Sequence, residues 1–188
     1  KIYSKNFIIA TGSKPSNLPF IDIDKERIIT STEALKLKEI PRNLIIIGGG
    51  VIGLELGQVY NRLGSEISVI EYADRITPLM DSSISRELTK VFKKHGFKFY
   101  INHKVNKVER VGKKVHVKAL DGKDQEMSLT ADYCLVSVVR KPYTENLGLG
   151  NLNITLNQNG QIEVNDHLQT SESNIYAIGD VVRGTMLA

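Results

Sequence analysis

The chain has 188 residues, of which 41% are hydrophobic and 24% charged, enough for one large domain or one and a half of ordinary size. The net charge of +4 gives only a weak preference for anionic ligands, and basic residues come in short pairs such as Lys93 and Lys94 without interleaved aromatic residues. This composition indicates a globular protein with a buried core and argues against nucleic-acid binding.

The sequence lacks the usual signs of membrane insertion, export and metal binding. No stretch approaches the roughly 20 apolar residues that cross a bilayer, and no charged and then apolar leader opens the chain. The four histidines are scattered without metal-ligand spacing. The single cysteine, Cys134, cannot form an intrachain disulfide and lies in an apolar run, YCLVSVV. We expect no membrane segment, no metal, a reducing compartment and a buried, unreactive thiol.

The first hundred residues predict alternating strands and helices. Strands are predicted in KNFIIATG, in LIII before the glycines, in SEISVIE and in FKFYI. A helix is predicted from Val51 to about Gly64, and a second over residues 82–95 with Ile84, Leu88, Val91 and Phe92 on one face. The order from the glycine strand onward is a βαβαβ unit, which requires a parallel sheet with right-handed crossovers.

The pattern changes after residue 103. Residues 104–130 alternate apolar and polar side chains, with turn signals at Gly112 and at Asp121 and Gly122, and predict an antiparallel three-stranded meander. The run DYCLVSV predicts a strand buried on both faces, and NIYAIGDVV predicts another that ends at Gly179 and Asp180. The fold class is therefore α/β, a Rossmann-like parallel sheet with an antiparallel meander.

The glycine run GGGVIG matches the dinucleotide fingerprint at Gly48, Gly50 and Gly53. The first glycine permits the tight turn, the second lets a pyrophosphate approach the backbone, and the third lets the helix pack closely on its strand. The motif follows a strand and opens a helix whose amino terminus favours phosphate. This context favours nucleotide binding over a purely structural glycine turn.

Two acidic residues accompany the glycine turn. Glu71, at the end of the next strand, is placed to accept hydrogen bonds from a ribose 2′-OH and to repel a 2′-phosphate, so NAD is favoured over NADP. Arg75 would argue for NADP, but we interpret it as a loop or ion-pair residue. Glu55 is expected in the first turn of the helix, where it either complements the helix dipole or reaches the reactive end of the cofactor.

Four separated segments occur together in this chain: IIATGSKP, IIIGGGVIGLELGQVYNRLGSEISVIE, VVRKPYTENLGL and NIYAIGDVVRGTMLA. In this order they resemble the flavin-dependent pyridine-nucleotide disulfide oxidoreductases over essentially the whole chain. The segments PYTENLGL and MLA resemble the lipoamide branch more than the glutathione or mercuric reductases.

The resemblance implies that an NAD-binding domain, residues 17–139, interrupts an FAD-binding domain that supplies residues 1–16 and 140–188. It assigns Thr11, Gly12 and Ser13 to the flavin side, with Asp180 holding FAD through its ribityl and phosphate region. Met186, Leu187 and Ala188 follow along the flavin. The NAD-binding residues that it implies are Gly48, Gly49, Gly50, Val51, Ile52, Gly53, Leu54, Glu55, Glu71 and, at the adenine end, Val105.

One position departs from the family pattern. Members usually carry glycine where this sequence has Val139, and that glycine lets the strand end approach the nicotinamide side of NAD. Val139 is therefore expected either to crowd the cofactor and weaken NAD binding or to be tolerated if NAD enters at a slightly different angle.

The resemblance also implies an activity for a longer protein. Family members pass electrons from a dithiol to an enzyme disulfide, then to FAD and then to NAD, using a cysteine pair and a histidine-glutamate pair that this sequence does not contain. We expect a central part of such an enzyme, with no catalytic residue of its own and no activity alone. The expected partners are lipoyl domains of a 2-oxoacid dehydrogenase complex and a second subunit of a homodimer, in a bacterial cytoplasm or the mitochondrial matrix.

Two alternatives stay open on the sequence. One is another NAD(P)H-dependent flavin disulfide reductase or an NADH oxidase. The other is a non-catalytic module that senses NAD(H).

Overall fold

The computed structural model describes residues 3–16, 18–138, 140–184 and 186. The chain divides into two compact units, one made of residues 1–16 and 140–188 and the other of residues 17–139. We call them the split unit and the continuous unit. None of the described helices has the length and apolarity needed to cross a membrane.

The described elements alternate strands and helices in the first half of the chain and are mostly strands in the second. The strands are β1 (Phe7–Ile9), β2 (Ser13–Pro15), β3 (Ile28–Ile29), β4 (Asn43–Ile47), β5 (Glu66–Ile70), β6 (Lys98–Tyr100), β7 (Lys104–Val111), β8 (Lys114–Leu120), β9 (Glu126–Ala131), β10 (Tyr133–Val136), β11 (Arg140–Pro142) and β12 (Ile175–Ala177). The helices are α1 (Ser31–Ala34), α2 (Val51–Arg62) and α3 (Ser82–Lys94), with short 3-10 helices at Leu149–Leu152 and Gly179–Val181.

The continuous unit is built on a five-stranded parallel sheet with the order β3-β10-β4-β5-β6. β4, β5 and β6 pair side by side in parallel, which confirms the βαβαβ prediction. β10 pairs with β4 on the other side, and all four of its residues are buried, as its continuous apolar run predicted. The glycine turn thus follows the central strand of the sheet.

Strand β4 shows how the sheet separates two cores. Leu44 and Ile46 lie in the core cluster that contains residues of α2 and α3, whereas Ile45 and Ile47 lie in the cluster that contains residues of the β7-β8-β9 meander. Alternate side chains of a strand point to opposite faces, so the run LIII fills both cores. The antiparallel meander predicted over residues 104–130 is confirmed.

Helix α3 begins at an Asp81 cap, whose side chain accepts a hydrogen bond from the Ser83 amide. Its buried residues are Ser85 and Phe92, and Leu88 packs against the same core as predicted, while Ile84 and Val91 are about half exposed. The predicted apolar face is therefore rotated, because α3 packs through the line that contains Ser85 and Phe92. This rotation brings a hydroxyl side chain into the protein interior.

The split unit contains two strand pairs. β1 pairs with β12 in parallel, and β2 pairs with β11 in an antiparallel arrangement. A third core cluster, which includes Ile162, Ala177 and Val181, holds the unit together. The strand predicted in NIYAIGDVV ends at Ala177, and a 3-10 helix carries the chain through Gly179 and Asp180.

Candidate functional site

The glycine turn joins β4 to α2 at the carboxyl end of the central strand. Gly48 has a φ of +102°, and a Cβ there would lie 2.4 Å from the carbonyl oxygen of Ser137. A Cβ on Gly53 would lie 2.7 Å from the Gly48 carbonyl oxygen and 2.9 Å from Cγ2 of Ile46. Both glycines are therefore required by the protein's own backbone and packing.

Gly50 is different, because nothing in the described protein requires a glycine there. Its φ of −77° and ψ of 175° are open to any residue, and a Cβ would meet no heavy atom within 4 Å. Gly50 is the N-cap of α2 and makes no side-chain cap. The space beside Gly50 is thus open next to the unpaired amides of the first helical turn, including those of Val51 and Ile52, which suits an anionic ligand.

Glu71 follows β5 and contacts the turn. One carboxylate oxygen accepts a hydrogen bond from the Gly49 amide at 2.6 Å, and the other accepts one from the Ala73 amide at 2.7 Å. The Glu71 side chain therefore lies beside the glycine turn, as its position in sequence predicted. The bond to the turn itself was not foreseen, because two residues 22 positions apart carry no local signal of it.

The guanidinium of Arg75, which could favour NADP by binding a 2′-phosphate, is bound to other protein groups. It forms an ion pair with Asp74 at 3.2 Å and donates to the Pro78 carbonyl oxygen at 3.2 Å. This pair is partly exposed, so we assign it little stabilising weight.

The other predicted NAD residues differ in what they offer. Glu55 lies beyond the first turn, because α2 begins at Val51, so the expectation of a first-turn acid was wrong. Its side chain is exposed, and the helix dipole is weak at that distance from the end. The side chains of Leu54 and Val105 are buried in the two cores, so any ligand contact by these residues must use backbone atoms.

In the split unit, four of the residues predicted for the flavin side, Thr11, Gly12, Ser13 and Asp180, lie around a hydrogen-bonded group. Ser13 Oγ donates to a carboxylate oxygen of Asp180 at 2.5 Å. Arg140 donates to Ser13 Oγ at 2.6 Å and to the Ser13 carbonyl oxygen at 2.7 Å. Thr11 Oγ1 donates to the Tyr143 carbonyl oxygen at 2.7 Å, and Gly12 has a φ of +71°.

These residues line a depression of about 350 Å³, which the structure forms entirely within the split unit. Its lining is Ala10, Thr11, Gly12, Ser13, Arg140, Ile178, Gly179 and Asp180. This volume lies at the lower end of the range of ligand sites. Sequence reasoning did not single out Arg140, because its partner Ser13 is 127 positions away and leaves no local signal of the contact.

Three predicted residues, Val139, Leu187 and Ala188, lie outside the described residues. Met186 is described and is half-buried. The Cys134 side chain is fully buried, and burial raises the pKa of its thiol. Among residues 3–16, 18–138, 140–184 and 186, no group of three or more His, Cys, Asp or Glu side chains could hold a metal ion.

The chain has a Rossmann-like nucleotide-binding fold. The features that define it are the parallel sheet, the glycine turn at the carboxyl end of its central strand, the acidic residue at the end of the next strand and the antiparallel meander. The chain belongs to the pyridine nucleotide-disulphide oxidoreductase family, whose match covers residues 1–188.

Named relatives agree with this membership. The chain is 46% identical over 190 residues to the mitochondrial dihydrolipoyl dehydrogenase of Dictyostelium discoideum, and 44% identical over 191 residues to that of Homo sapiens. These matches cover 100% of this chain but only 39% and 37% of those proteins. The chain thus spans well under half the length of these relatives.

Solved structures give the same fold. The HOCl-induced flavoprotein disulfide reductase RclA from Escherichia coli superposes with a TM-score of 0.88 at 29% identity, covering 99% of this chain and 42% of that one. LpdA from Mycobacterium tuberculosis has a TM-score of 0.83, also at 29% identity, covering 93% of this chain and 37% of that one. RclA is thus a flavoprotein disulfide reductase, and the relatives from Dictyostelium discoideum and Homo sapiens are dihydrolipoyl dehydrogenases.

Proposed function

We propose that the continuous unit binds NAD(H), with the pyrophosphate over the turn from Gly48 to Gly53. The observation that carries this proposal is the open space at Gly50. A glycine that neither backbone conformation nor packing requires is explained by a ligand that approaches its backbone closely. The amino terminus of α2 adds amide donors and a partial positive charge for the phosphates.

The preference for NAD over NADP is assigned to Glu71. Each carboxylate oxygen of Glu71 accepts one backbone hydrogen bond, which leaves each with a further acceptor position for ribose hydroxyls. A 2′-phosphate would meet the same carboxylate and be repelled. The pairing of Arg75 with Asp74 supports this choice, because the Arg75 guanidinium in the loop after Glu71 is already engaged.

The split unit is proposed to be part of an FAD-binding domain that residues 17–139 interrupt. Within the described residues, its parallel sheet consists of β1 and β12 alone, and the middle residue of β1, Ile8, is 65% exposed. Parallel sheets normally have more strands and are covered on both faces, so this pair fits a sheet completed by further chain. The bonded group of Ser13 and Asp180 supplies hydroxyl and carboxylate oxygens that can accept hydrogen bonds from the hydroxyl groups of a polyol.

The proposed parent activity is that of a dihydrolipoyl dehydrogenase. Such an enzyme oxidises a protein-bound dihydrolipoyl dithiol to the disulfide and passes its two electrons, by way of FAD, as a hydride to NAD⁺ with release of a proton. Lipoyl domains of a 2-oxoacid dehydrogenase complex would be the substrate, and a homodimer the working form. The location would be the mitochondrial matrix in a eukaryote or the cytoplasm in a bacterium.

The 188-residue chain is proposed to bind nucleotide without catalysing this reaction. Dithiol oxidation through an enzyme disulfide needs two cysteines, and this chain has only Cys134. Burial of Cys134 also separates its thiol from substrate.

Calorimetric titration of the chain with NADH and NADPH tests the proposal. NADH is expected to bind more tightly, and equal or tighter binding of NADPH would contradict the role given to Glu71. The length of the native polypeptide in source cells separates the enzyme from a free-standing NAD sensor. A polypeptide about 2.5 times longer that carries a cysteine pair would support the enzyme. This factor follows from the match, which covers 39% of the Dictyostelium discoideum relative.

A further inference from the structure

Residues 71–77, which follow β5, make three contacts with Gly49, the middle glycine of the turn. The Gly49 amide donates to Glu71, and the Gly49 carbonyl oxygen accepts a hydrogen bond from the Thr77 amide at 2.9 Å. Cγ2 of Ile76 lies 3.1 Å from the position of a Cβ on Gly49. Both peptide groups that flank Gly49 are therefore fixed by residues 71–77.

The hydrogen bond from Thr77 to the Gly49 carbonyl oxygen also sets the direction of the Gly50 N–H, which belongs to the same peptide group. A trans peptide is planar, and its C=O and N–H point in opposite directions. The peptide that joins Gly49 to Gly50 carries the carbonyl bound by Thr77 and the N–H of Gly50. Holding that carbonyl against Thr77 therefore directs the Gly50 N–H away from the loop.

Thr77 is held in an unusual conformation. Its φ is +45°, a value that β-branched residues rarely adopt, and the residue is only 4% exposed. Its Oγ1 lies 3.0 Å from Oγ of Ser85, and Ser85 Oγ also donates to the Thr77 carbonyl oxygen at 3.3 Å. Ser85 is 1% exposed and belongs to α3. Its hydroxyl therefore contacts both the side chain and the carbonyl oxygen of Thr77.

We infer that Ser85 is a positioning residue of the nucleotide site. By holding Thr77, it keeps the Thr77 amide on the Gly49 carbonyl and aims the Gly50 N–H at the diphosphate of the ligand. The inference rests on the function proposed for the continuous unit. It concerns the diphosphate rather than the adenosine, whose ribose is assigned to Glu71.

Four variants of the 188-residue chain test this role. Ser85→Ala removes the hydroxyl on α3, Thr77→Val removes the hydroxyl on the loop but keeps the branched shape, and Thr77→Ser keeps that hydroxyl. Thr89→Ala is the matched control, because Thr89 Oγ1 donates only to the Ser85 carbonyl oxygen within α3, at 2.7 Å. The ligands are ADP-ribose, which carries the diphosphate, and adenosine, which lacks it.

Ser85→Ala and Thr77→Val are expected to weaken ADP-ribose by about 2- to 10-fold, the effect of one hydrogen bond, and to leave adenosine unchanged. Thr77→Ser and Thr89→Ala should bind both ligands like the unmodified chain. Without ligand, hydrogen exchange of the Thr77 amide should be faster in Ser85→Ala, a change that a purely global loss of stability would spread over all core amides.

Unchanged ADP-ribose affinity in both Ser85→Ala and Thr77→Val, or an equal loss for adenosine, would overturn the positioning role. Failure of the unmodified chain to bind either NADH or ADP-ribose would instead contradict the proposed function, and the positioning role with it.

Discussion

The carboxylate of Glu71 accepts a hydrogen bond of 2.6 Å from the backbone amide of Gly49. The residue assigned to the ribose of the ligand is thus bonded to the turn assigned to its pyrophosphate. The second oxygen of Glu71 accepts a hydrogen bond from the Ala73 amide, so the protein's own backbone orients the side chain. An oriented carboxylate loses less rotamer freedom on binding, which favours affinity.

Replacing Glu71 by alanine is expected to weaken NADH binding by about 1 to 3 kcal/mol, because a charge-assisted hydrogen bond is lost. Glu71→Gln keeps an acceptor but removes the charge, so it should narrow the preference for NADH over NADPH. Calorimetry with both nucleotides measures the two effects. Glu66→Gln, on the exposed side of β5, is the control and should leave both affinities unchanged. If Glu71→Gln leaves the ratio of NADH affinity to NADPH affinity unaltered, charge repulsion by Glu71 does not set the preference for NADH.

Gly50 and Gly48 should respond in opposite ways to alanine. Gly50→Ala fits the protein without contact and should change the free energy of unfolding by less than about 1 kcal/mol, yet lower NADH affinity at least about tenfold by filling the ligand's space. Gly48→Ala should cost about 2 kcal/mol or more of stability, because its φ is positive and its Cβ would strike Ser137. Urea unfolding and NADH titration of both variants provide the measurement. Normal NADH binding by Gly50→Ala would remove the main support for the site.

Asp132 should make folding stability sensitive to acid. Burial acts to raise the pKa of Asp132, but hydrogen bonds from the Lys114 ammonium group and the Asn43 and Arg42 amides outweigh burial and lower it. A carboxyl group whose pKa is lower in the folded state stabilises the protein above its unfolded pKa of about 3.9, and this contribution is lost as the pH falls through the folded pKa.

Asp132→Asn should therefore reduce the free energy of unfolding by about 1 to 3 kcal/mol near neutral pH, with a smaller deficit in acid. Urea unfolding of both proteins between pH 7 and about pH 3 measures this convergence. Asp22→Asn, at an exposed position of the same unit, should follow the unmodified protein throughout. A deficit that stays constant with pH would contradict the electrostatic explanation.

The thiol of Cys134 should be unreactive in the folded protein. Its side chain is 0% exposed, and its raised pKa leaves almost no thiolate at neutral pH. Treatment with a disulfide reagent such as DTNB should modify Cys134 only after denaturant is added. Rapid modification of the native chain would show that β10 opens and would weaken the argument that this cysteine takes no part in disulfide chemistry.

Val139→Gly tests the one departure from the family pattern. Removing a branched side chain next to the predicted nicotinamide position should tighten NAD binding if the valine crowds the cofactor. Unchanged affinity by calorimetry would show that Val139 is tolerated.

Sequence patterns predicted the elements of the site better than the contacts between them. The glycine spacing, the apolar strand before it and the acidic residue after β5 are local signals, and they located the turn and Glu71. Ser85 gave no such signal, because a serine within a helix is normally predicted to be exposed, and only the packing of α3 shows that Ser85 is buried. The two-residue strand β3 was likewise too short to show periodicity, although it completes one edge of the sheet.

The pairing of β1 with β12 bears on how this polypeptide is made. During translation β1 leaves the ribosome long before its partner strand exists, while the continuous unit, whose contacts lie within residues 17–139, can fold as it emerges. The register of β2 with β11 pairs Pro15 with Arg140, so the two segments of the split unit lie side by side there. An early, compact insertion shortens the effective loop that β1 must close to find β12, which reduces the entropic barrier to completing the split unit.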